Sequence, residues 1–453
     1  MEEKTIAAIS TPMGVGGISI VRLSGSDSLN IANSVFTFRS KKTNIKNCEP
    51  RKMYLGSFKI GENEEECLMV YFKAPYSYTG EDLIEFQCHG GVVVTKKILE
   101  TLLDNGATLA SGGEFTKRAF LNGKLSLDEA EGVIDVINAE SESELKAGYN
   151  LLKGNLNHEV VTIQNDIKDS LSKIEVALDY PEEDLEEETR IDIGATLHSV
   201  LDRLNKMLDT ASTGRKIKDG TKVAIVGKPN AGKSSIMNAL LNFERAIVTD
   251  IQGTTRDTLE ETYIYKGVKF ILIDTAGIRD TEDVVEKIGV KKAKDTIKSA
   301  DVTLYIVDGS RELNEDDFNI INTLDDKNTI VIVNKSDLQQ KVDENKVPFK
   351  NKISVSAISK NGIEKIKEKI FNFVIDENIL SSDIIITNVR HLNSIKDAIK
   401  NVQESLSALE QNIGLDLVTV NIKNVWLALG EITGETDNEK IIDNIFAKFC
   451  VGK

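Results

Sequence analysis

The chain has 453 residues, 40% of them apolar, and a formal net charge of −16 from 56 basic and 72 acidic side chains. That length suits about two to four domains, while the acidic balance excludes a chain that wraps nucleic acid unaided, since phosphate contacts need clustered Lys and Arg. No apolar run approaches the ~20 residues that cross a bilayer, and the cysteines (Cys48, Cys67, Cys88, Cys450) include no C-x-x-C pair, so a soluble protein of a reducing, cytoplasmic compartment is expected, without disulfides or zinc.

Residues 1–120 mix short β-branched runs (Ile18–Arg22, Leu68–Phe72, Leu83–Phe86) with one helical stretch, Val92–Leu103, that stops at Asn105-Gly106. They predict a separate α/β domain. From 121 to 216 the period turns helical. Val160, Ile163, Ile167, Leu171, Ile174 and Leu178 recur at steps of three and four on one helix face, a core stripe. The acidic run Pro181–Arg190 reads as a solvated turn. Residues 217–378 alternate apolar strands (Lys222–Val226, Lys269–Ile273, Val302–Val307, Thr329–Val333, Ile353–Val355) with helices. That pattern predicts a mainly parallel, doubly wound sheet. Residues 379–453 return to a helical stripe through Leu392, Ile395, Ile399, Val402, Leu406 and Leu409. Packing the two stripes together is the economical way to bury both. The expected fold is thus a multidomain α/β chain in which a doubly wound domain interrupts a discontinuous helical one.

The motifs follow the strands of the 217–378 domain, at the carboxyl ends where such sheets bind nucleotides. Gly227-Lys-Pro-Asn-Ala-Gly-Lys-Ser-Ser235 comes first. Its glycines and the following helix N-terminus bring N–H groups to phosphate oxygens, Lys233 reaches the β- and γ-phosphates, and Ser234 ligates Mg²⁺. Asp274-Thr275-Ala276-Gly277 follows, with Asp274 set to hold Mg²⁺ through water. Asn334-Lys335-Ser-Asp337 selects guanine, because the Asp337 carboxylate accepts both N–H donors on one edge of that base and adenine lacks the pair. Ser356-Ala357 caps guanine O6 through backbone N–H. Four ordered parts imply GTP and its hydrolysis, where a lone Gly-rich loop would not.

The hydrolytic group is open on this reading. Ile278 stands where Ras-like GTPases carry a water-orienting Gln, leaving Glu282, Asp283 and Glu286 as candidates. No arginine finger is evident either. Asn230, facing the switch segment Ala246–Asp257, could hold a monovalent cation, and Arg256 is its rival for compensating transition-state charge.

The loop Gly227–Ser235, the switch Ile251-Gln-Gly-Thr-Thr-Arg-Asp257 and Asp274–Ile278 resemble the potassium-activated TrmE–Era–EngA branch of P-loop GTPases. With Gly80-Glu-Asp-Leu-Ile-Glu-Phe-Gln-Cys-His-Gly-Gly91, Gly113–Asn122 and the terminal Phe449-Cys-Val-Gly-Lys453, the chain resembles the MnmE (TrmE) family of tRNA wobble-uridine modification GTPases from end to end. The resemblance implies an N-terminal domain that mediates a homodimer and binds a one-carbon tetrahydrofolate, as 5-formyl- or 5,10-methylene-tetrahydrofolate, at Arg22, Glu85, Lys124 and Lys453. It implies K⁺ ligands at Asn230, Thr249, Ile251 and Thr254, Mg²⁺ at Ser234 and Thr255, and Glu286 as the water-orienting group. It extends the nucleotide site to Ala231, Gly232, Ser235, Asp250, Gln252 and Gly253. It further implies G domains that close across the dimer, and an FAD-dependent partner, MnmG, in a heterotetramer that aminomethylates C5 of the wobble uridine of certain tRNAs. Cys450 stands beside the implied folate site, open to a part in the one-carbon chemistry or to a structural one. The C-a-a-X shape of Cys450–Lys453 is a poor prenylation signal, with Gly and Lys at its last two positions and no polybasic stretch before it. The alternative from the same branch is a ribosome-assembly GTPase, which would want a basic RNA-binding end that residues 380–453 do not offer.

Overall fold

Two sheets carry the β-branched runs. The computed structural model describes residues 4–180, 183–241, 260–274, 296–436 and 439–453. It divides into two compact units, Met1–Ile134, Leu151–Glu186 and Gly414–Lys453 forming one, Asp135–Asn150 and Glu187–Ile413 the other. The helical texture of residues 121–216 and 379–453 is shared between them.

The first unit holds a seven-stranded sheet of β1 (Ile6–Ile9), β2 (Ile18–Ser24), β3 (Phe36–Phe38), β4 (Met53–Ile60), β5 (Asn63–Phe72), β6 (Leu83–His89) and β7 (Thr108–Leu109), ordered β3-β4-β5-β6-β2-β1-β7. Its pairings are antiparallel except that of β1 with β7. The expected strands at Ile18, Leu68 and Leu83 are present and extended. β4 and β5 form a hairpin about Gly61-Glu62, where Gly61 takes φ +60° as a two-residue turn requires. Phe58 and Phe86 meet edge to face at 5.0 Å in the core, closed by the helices Ser28–Val35 and Val92–Asp104.

In the same unit the helix Asn155–Asp179 buries Val160, Ile163, Ile167 and Ile174. The stripe drifts at its end: Leu178 is 47% exposed and Ala177 is buried in its place. This helix packs on the helix Leu415–Thr433, and Gln164 Nε2 donates to Trp426 O at 3.3 Å. The expected partner stripe, in the helix Val389–Glu410, belongs to the other unit. An apolar stripe states that a face is buried, without stating against which helix.

The second unit holds the doubly wound sheet: β8 (Thr221–Gly227), β9 (Glu260–Tyr265), β10 (Val268–Asp274), β11 (Val302–Asp308), β12 (Thr329–Asn334) and β13 (Lys352–Ser354), ordered β13-β12-β11-β8-β10-β9. All neighbours are parallel except β9, which pairs antiparallel with β10. Every residue of β11 and β12 is buried, which is why both read as nearly continuous apolar runs. The strand order reverses beside β8, and its carboxyl end opens onto the first motif.

Candidate functional site

The chain leaves β8 at Gly227, which lies against its neighbour: a Cβ there would stand 2.5 Å from Ile306 O on β11. The loop that follows enters the helix Lys233–Leu241. Gly232 has φ +97°, and a Cβ on it would fall 2.1 Å from Asn334 Nδ2. The missing side chain is what lets Asn334 approach. Its Nδ2 donates to Ala231 O at 3.0 Å, and its Oδ1 accepts from Ala357 N at 3.2 Å. One side chain at the end of β12 thus ties together three segments, reaching 103 residues back to the phosphate loop and 23 forward to Ala357.

Around this tie lies a cleft of about 480 Å³, within the range of small-molecule sites. Asn230, Gly232, Lys233, Ser234 and Ser235 form one wall, and Asn334, Lys335, Asp337, Ala357 and Ile358 the other. Lys233 is 8% exposed, and its Nζ donates to Gly227 O at 2.7 Å and to Lys228 O at 2.9 Å. Burial holds this ammonium below its usual range, with the Asp274 carboxylate opposing that shift. The Ser234 and Ser235 hydroxyl residues are exposed at the helix start. Asp337 is exposed on the opposite wall, in a turn fixed by Ser336 N donating to Val355 O at 3.0 Å and Leu338 N to Lys335 O at 3.0 Å.

Two details differ from expectation. Ser356 N donates to Asn361 O at 3.0 Å and Ala357 N to Asn334, so both amides expected at guanine O6 are engaged within the protein. Asn334, expected at the base, is 2% exposed and has both polar atoms engaged. The tie between motifs is its visible work.

Sequence reasoning missed Asp308, which ends β11. It is 7% exposed and accepts from Lys335 Nζ at 2.6 Å and from Ser310 Oγ at 2.7 Å. Burial pushes its carboxyl up, but Lys335 and Ser310 outweigh burial and hold it below the usual carboxylate range. The available signal was an Asp closing a mostly apolar strand.

Thr249, Asp250, Ile251, Gln252, Gly253, Thr254, Thr255 and Arg256 lie outside the described residues, as do Thr275, Ala276, Gly277, Ile278, Glu282, Asp283 and Glu286. For Mg²⁺ the described part supplies Ser234 beside the phosphate loop and Asp274 at the end of β10. That oxygen set is incomplete without nucleotide phosphates and water, as Mg²⁺ sites of this kind are. For K⁺ it supplies Asn230, held at φ +63° on the cleft wall.

A second group forms in the first unit. Arg22 on β2 faces Glu85 on β6, and its Nε donates to Glu85 Oε1 at 2.8 Å. Its guanidinium lies 5.6 Å from the Tyr78 ring centroid and donates to Gly452 O at 3.5 Å. Burial and then the Arg22 charge hold the Lys453 ammonium below its usual range, opposed by Cys450 and Glu85. Arg22, the Lys453 ammonium and Glu85 thus bring donors and an acceptor into one half-buried group, a set that fits a polar ligand such as a folate. Lys124 is exposed and donates to Pro75 O at 3.2 Å.

Residues Phe449–Lys453 are threaded into this unit. Val451 bridges Gly112, Gly113 N donates to Cys450 O at 3.3 Å, and Phe115 N donates to Lys453 O at 3.2 Å. Cys450 is exposed, whereas Cys48, Cys67 and Cys88 are buried. Burial pushes the Cys67 thiol up to about 12 and raises Cys48 and Cys88 as well. Brief alkylation near neutral pH should therefore modify Cys450 in the folded protein and the other three only after unfolding. Peptide mass spectrometry reads the result, and rapid labelling of Cys67 would overturn it.

The chain is similar to known proteins along its whole length. A family model described as the GTP-binding protein TrmE N-terminus matches residues 5–124, and one described as the MnmE helical domain matches residues 127–450. The tRNA modification GTPase MnmE of Clostridioides difficile is 44% identical over 100% of this chain and 99% of its own. The protein of the same name from Alkaliphilus oremlandii is 42% identical over 100% and 99%. Among solved structures, Era of Aquifex aeolicus bound to GDP·AlF4⁻ covers 40% of this chain and 66% of its own at 28% identity and a TM-score of 0.29, too low to add to the family models. With both family models in register and full-length relatives above 40% identity, the chain belongs to the MnmE (TrmE) family of tRNA modification GTPases.

Proposed function

We propose that this GTP hydrolase binds its nucleotide in the cleft between Gly227–Ser235 and Asn334–Asp337, and that hydrolysis serves modification of C5 of the wobble uridine in certain tRNAs. The observation that carries the reading is one polar cleft walled by Lys233, Ser234, Lys335 and Asp337. The triphosphate lies along the phosphate loop, where the helix N-terminus and Lys233 meet its charge. Guanine lies toward Lys335 and Asp337. Ser234 and Thr255 would hold Mg²⁺, which would supply charge to offset that of the triphosphate. K⁺ at Asn230, Thr249, Ile251 and Thr254 supplies the positive charge that an arginine finger gives elsewhere. Glu286 orients water. The remaining residues of the nucleotide site are those named from the sequence.

In the first unit Arg22, Glu85, Lys124 and Lys453 hold a tetrahydrofolate one-carbon derivative: Glu85 accepts from the pterin donors beside Arg22 and Lys453, and Lys124 is the cation for the glutamate carboxylates. Cys450 is the exposed thiol at that group. The chain acts as a homodimer with the FAD-dependent MnmG, which supplies much of the surface that holds tRNA; the net charge of −16 supports that division. GTP turnover drives opening and closing of the G domains and leaves the carbon transfer to the folate site.

Nucleoside mass spectrometry of bulk tRNA from cells lacking the gene tests this. The expected result is loss of 5-aminomethyl-type wobble uridines, restored by the intact gene and not by Glu286→Ala. An unchanged profile would sink the tRNA reading and direct attention to ribosomal particles.

A further inference from the structure

The ten residues from Asp308 to Asp317 run from the end of β11 into the helix Glu315–Ile321, and they reach both ends of the cleft. At the base end, Asp308 holds Lys335 Nζ at 2.6 Å, and Gly309 N donates to Asn334 O at 2.9 Å. At the phosphate end they hold Lys228, a loop residue only 8% exposed. Its ammonium donates to Asn314 Oδ1 and lies 3.2 Å from Asp316 Oδ2 and 3.5 Å from Asp317 Oδ2. Asp317 is itself fixed, accepting from Asn314 N at 3.0 Å in a capping box. The Lys228 carbonyl in turn accepts from Lys233 Nζ at 2.9 Å.

We infer that Asp308–Asp317 is a strap that positions both lysines of the nucleotide site: Lys335 directly through Asp308, and Lys233 through Lys228 and the backbone it anchors. Lys228 and Asp308 are then positioning residues for nucleotide retention. Neither need touch the nucleotide. The geometry carries the inference because a buried ammonium keeps its place only while its acceptors do. Those acceptors here sit on a different element from the loop that Lys228 belongs to. The residue whose ammonium this segment holds is the same one whose carbonyl Lys233 meets, so holding Lys228 in place also holds an acceptor of Lys233. The inference rests on the cleft being the GTP site, and its test separates the two.

Dissociation of a fluorescent GDP from the full-length protein, measured with GTP turnover and thermal melting, gives that test. Lys228→Met keeps the side-chain stem and removes the charge. It should speed release about tenfold and raise KM with kcat changed less than about twofold, the signature of lost ground-state binding. Lys228→Arg should restore release to within about twofold of the original, since a guanidinium can meet the same acceptors. Asn314→Ala, on the exposed side of the pairing, should shift release in the same direction as Lys228→Met and guards against a variant that fails to fold. Folded Lys228→Met and Asn314→Ala proteins that release GDP at the unaltered rate would overturn the strap. An unaltered protein that binds no guanine nucleotide would overturn the cleft reading beneath it.

Discussion

Asp337→Asn should exchange the nucleotide preference of this chain from GTP to xanthosine triphosphate. The carboxylate accepts two donors from guanine, the ring N–H and the exocyclic amino group, and charge-assisted hydrogen bonds of this type contribute roughly 1.5–3 kcal/mol each. An Asn at the same place offers one acceptor and one donor. It meets the ring N–H but turns an N–H toward the guanine amino group, which is itself a donor. Xanthine carries a carbonyl oxygen there and accepts that N–H. Loss of the bond to the amino group and weakening of the other to a neutral one corresponds to roughly tenfold to a thousandfold in GTP affinity, and exposure of Asp337 puts the expectation toward the lower end. Competition of GTP and xanthosine triphosphate against a fluorescent nucleotide measures both changes. Unaltered GTP affinity in a folded Asp337→Asn protein would remove Asp337 from the base site and leave the guanine reading without its reader.

That expectation was legible in sequence because the signal is local. An Asp three residues past a buried apolar strand can be read from spacing alone, and so could the phosphate loop after β8. The parallel core of the second sheet was legible for the same reason: β11 and β12 have both faces covered and read as apolar nearly throughout. The edge strand β9 was not. Its sequence Glu-Glu-Thr-Tyr-Ile-Tyr keeps one fully buried residue, Tyr263, so its pattern gives little against a loop. The hairpin of β4 and β5 was half seen, since only Leu68–Phe72 is apolar enough to stand out.

What sequence could not supply was partnership across distance. Lys228 and Asn314 lie 86 residues apart, and Asn334 meets Ala231 across 103. Nothing in either neighbourhood names the other, and a strand-end Asp such as Asp308 resembles an ordinary turn residue until its lysine is seen. The helical stripes failed similarly. The 3.6-residue period identified the buried faces of Asn155–Asp179 and Val389–Glu410, but ridges of Ile, Val and Leu fit many grooves. The Arg22–Glu85 pair lies between these cases. A cross-strand register makes it one contact, while in sequence its members were two charges in unrelated strands, and only the family resemblance joined them.

The terminal segment gives the second large effect. Gly452 has φ +94°, and a Cβ on it would stand 2.1 Å from Ile9 O. That neighbour is backbone at the end of β1 and cannot swing aside as a side chain could. Gly452→Ala therefore combines a left-handed conformation unfavourable to Ala with a direct overlap. Relief requires Val451–Lys453 to lift from Gly112 and Phe115. Phe449 and Phe446 remain anchored among Leu127, Ala130 and Ile442, so the unit stays folded while its last residues detach. Detachment carries the Lys453 ammonium away from Arg22 and Glu85 and removes the Gly452 carbonyl that the Arg22 guanidinium meets. With one of two cations gone, affinity for 5-formyltetrahydrofolate should fall by roughly tenfold to a hundredfold, the effect of losing one charge-assisted contact. Calorimetric titration of the variant measures that fall, while GTP affinity, set by residues of the other unit, should hold. Folate affinity equal to that of the unaltered protein, with the segment shown by proteolysis to be detached, would mean that Lys453 has no part in the site. Loss of folate affinity together with intact GTP binding would place folate recognition at the junction of β2, β6 and the terminal residues, where Arg22 meets both Glu85 and the Gly452 carbonyl.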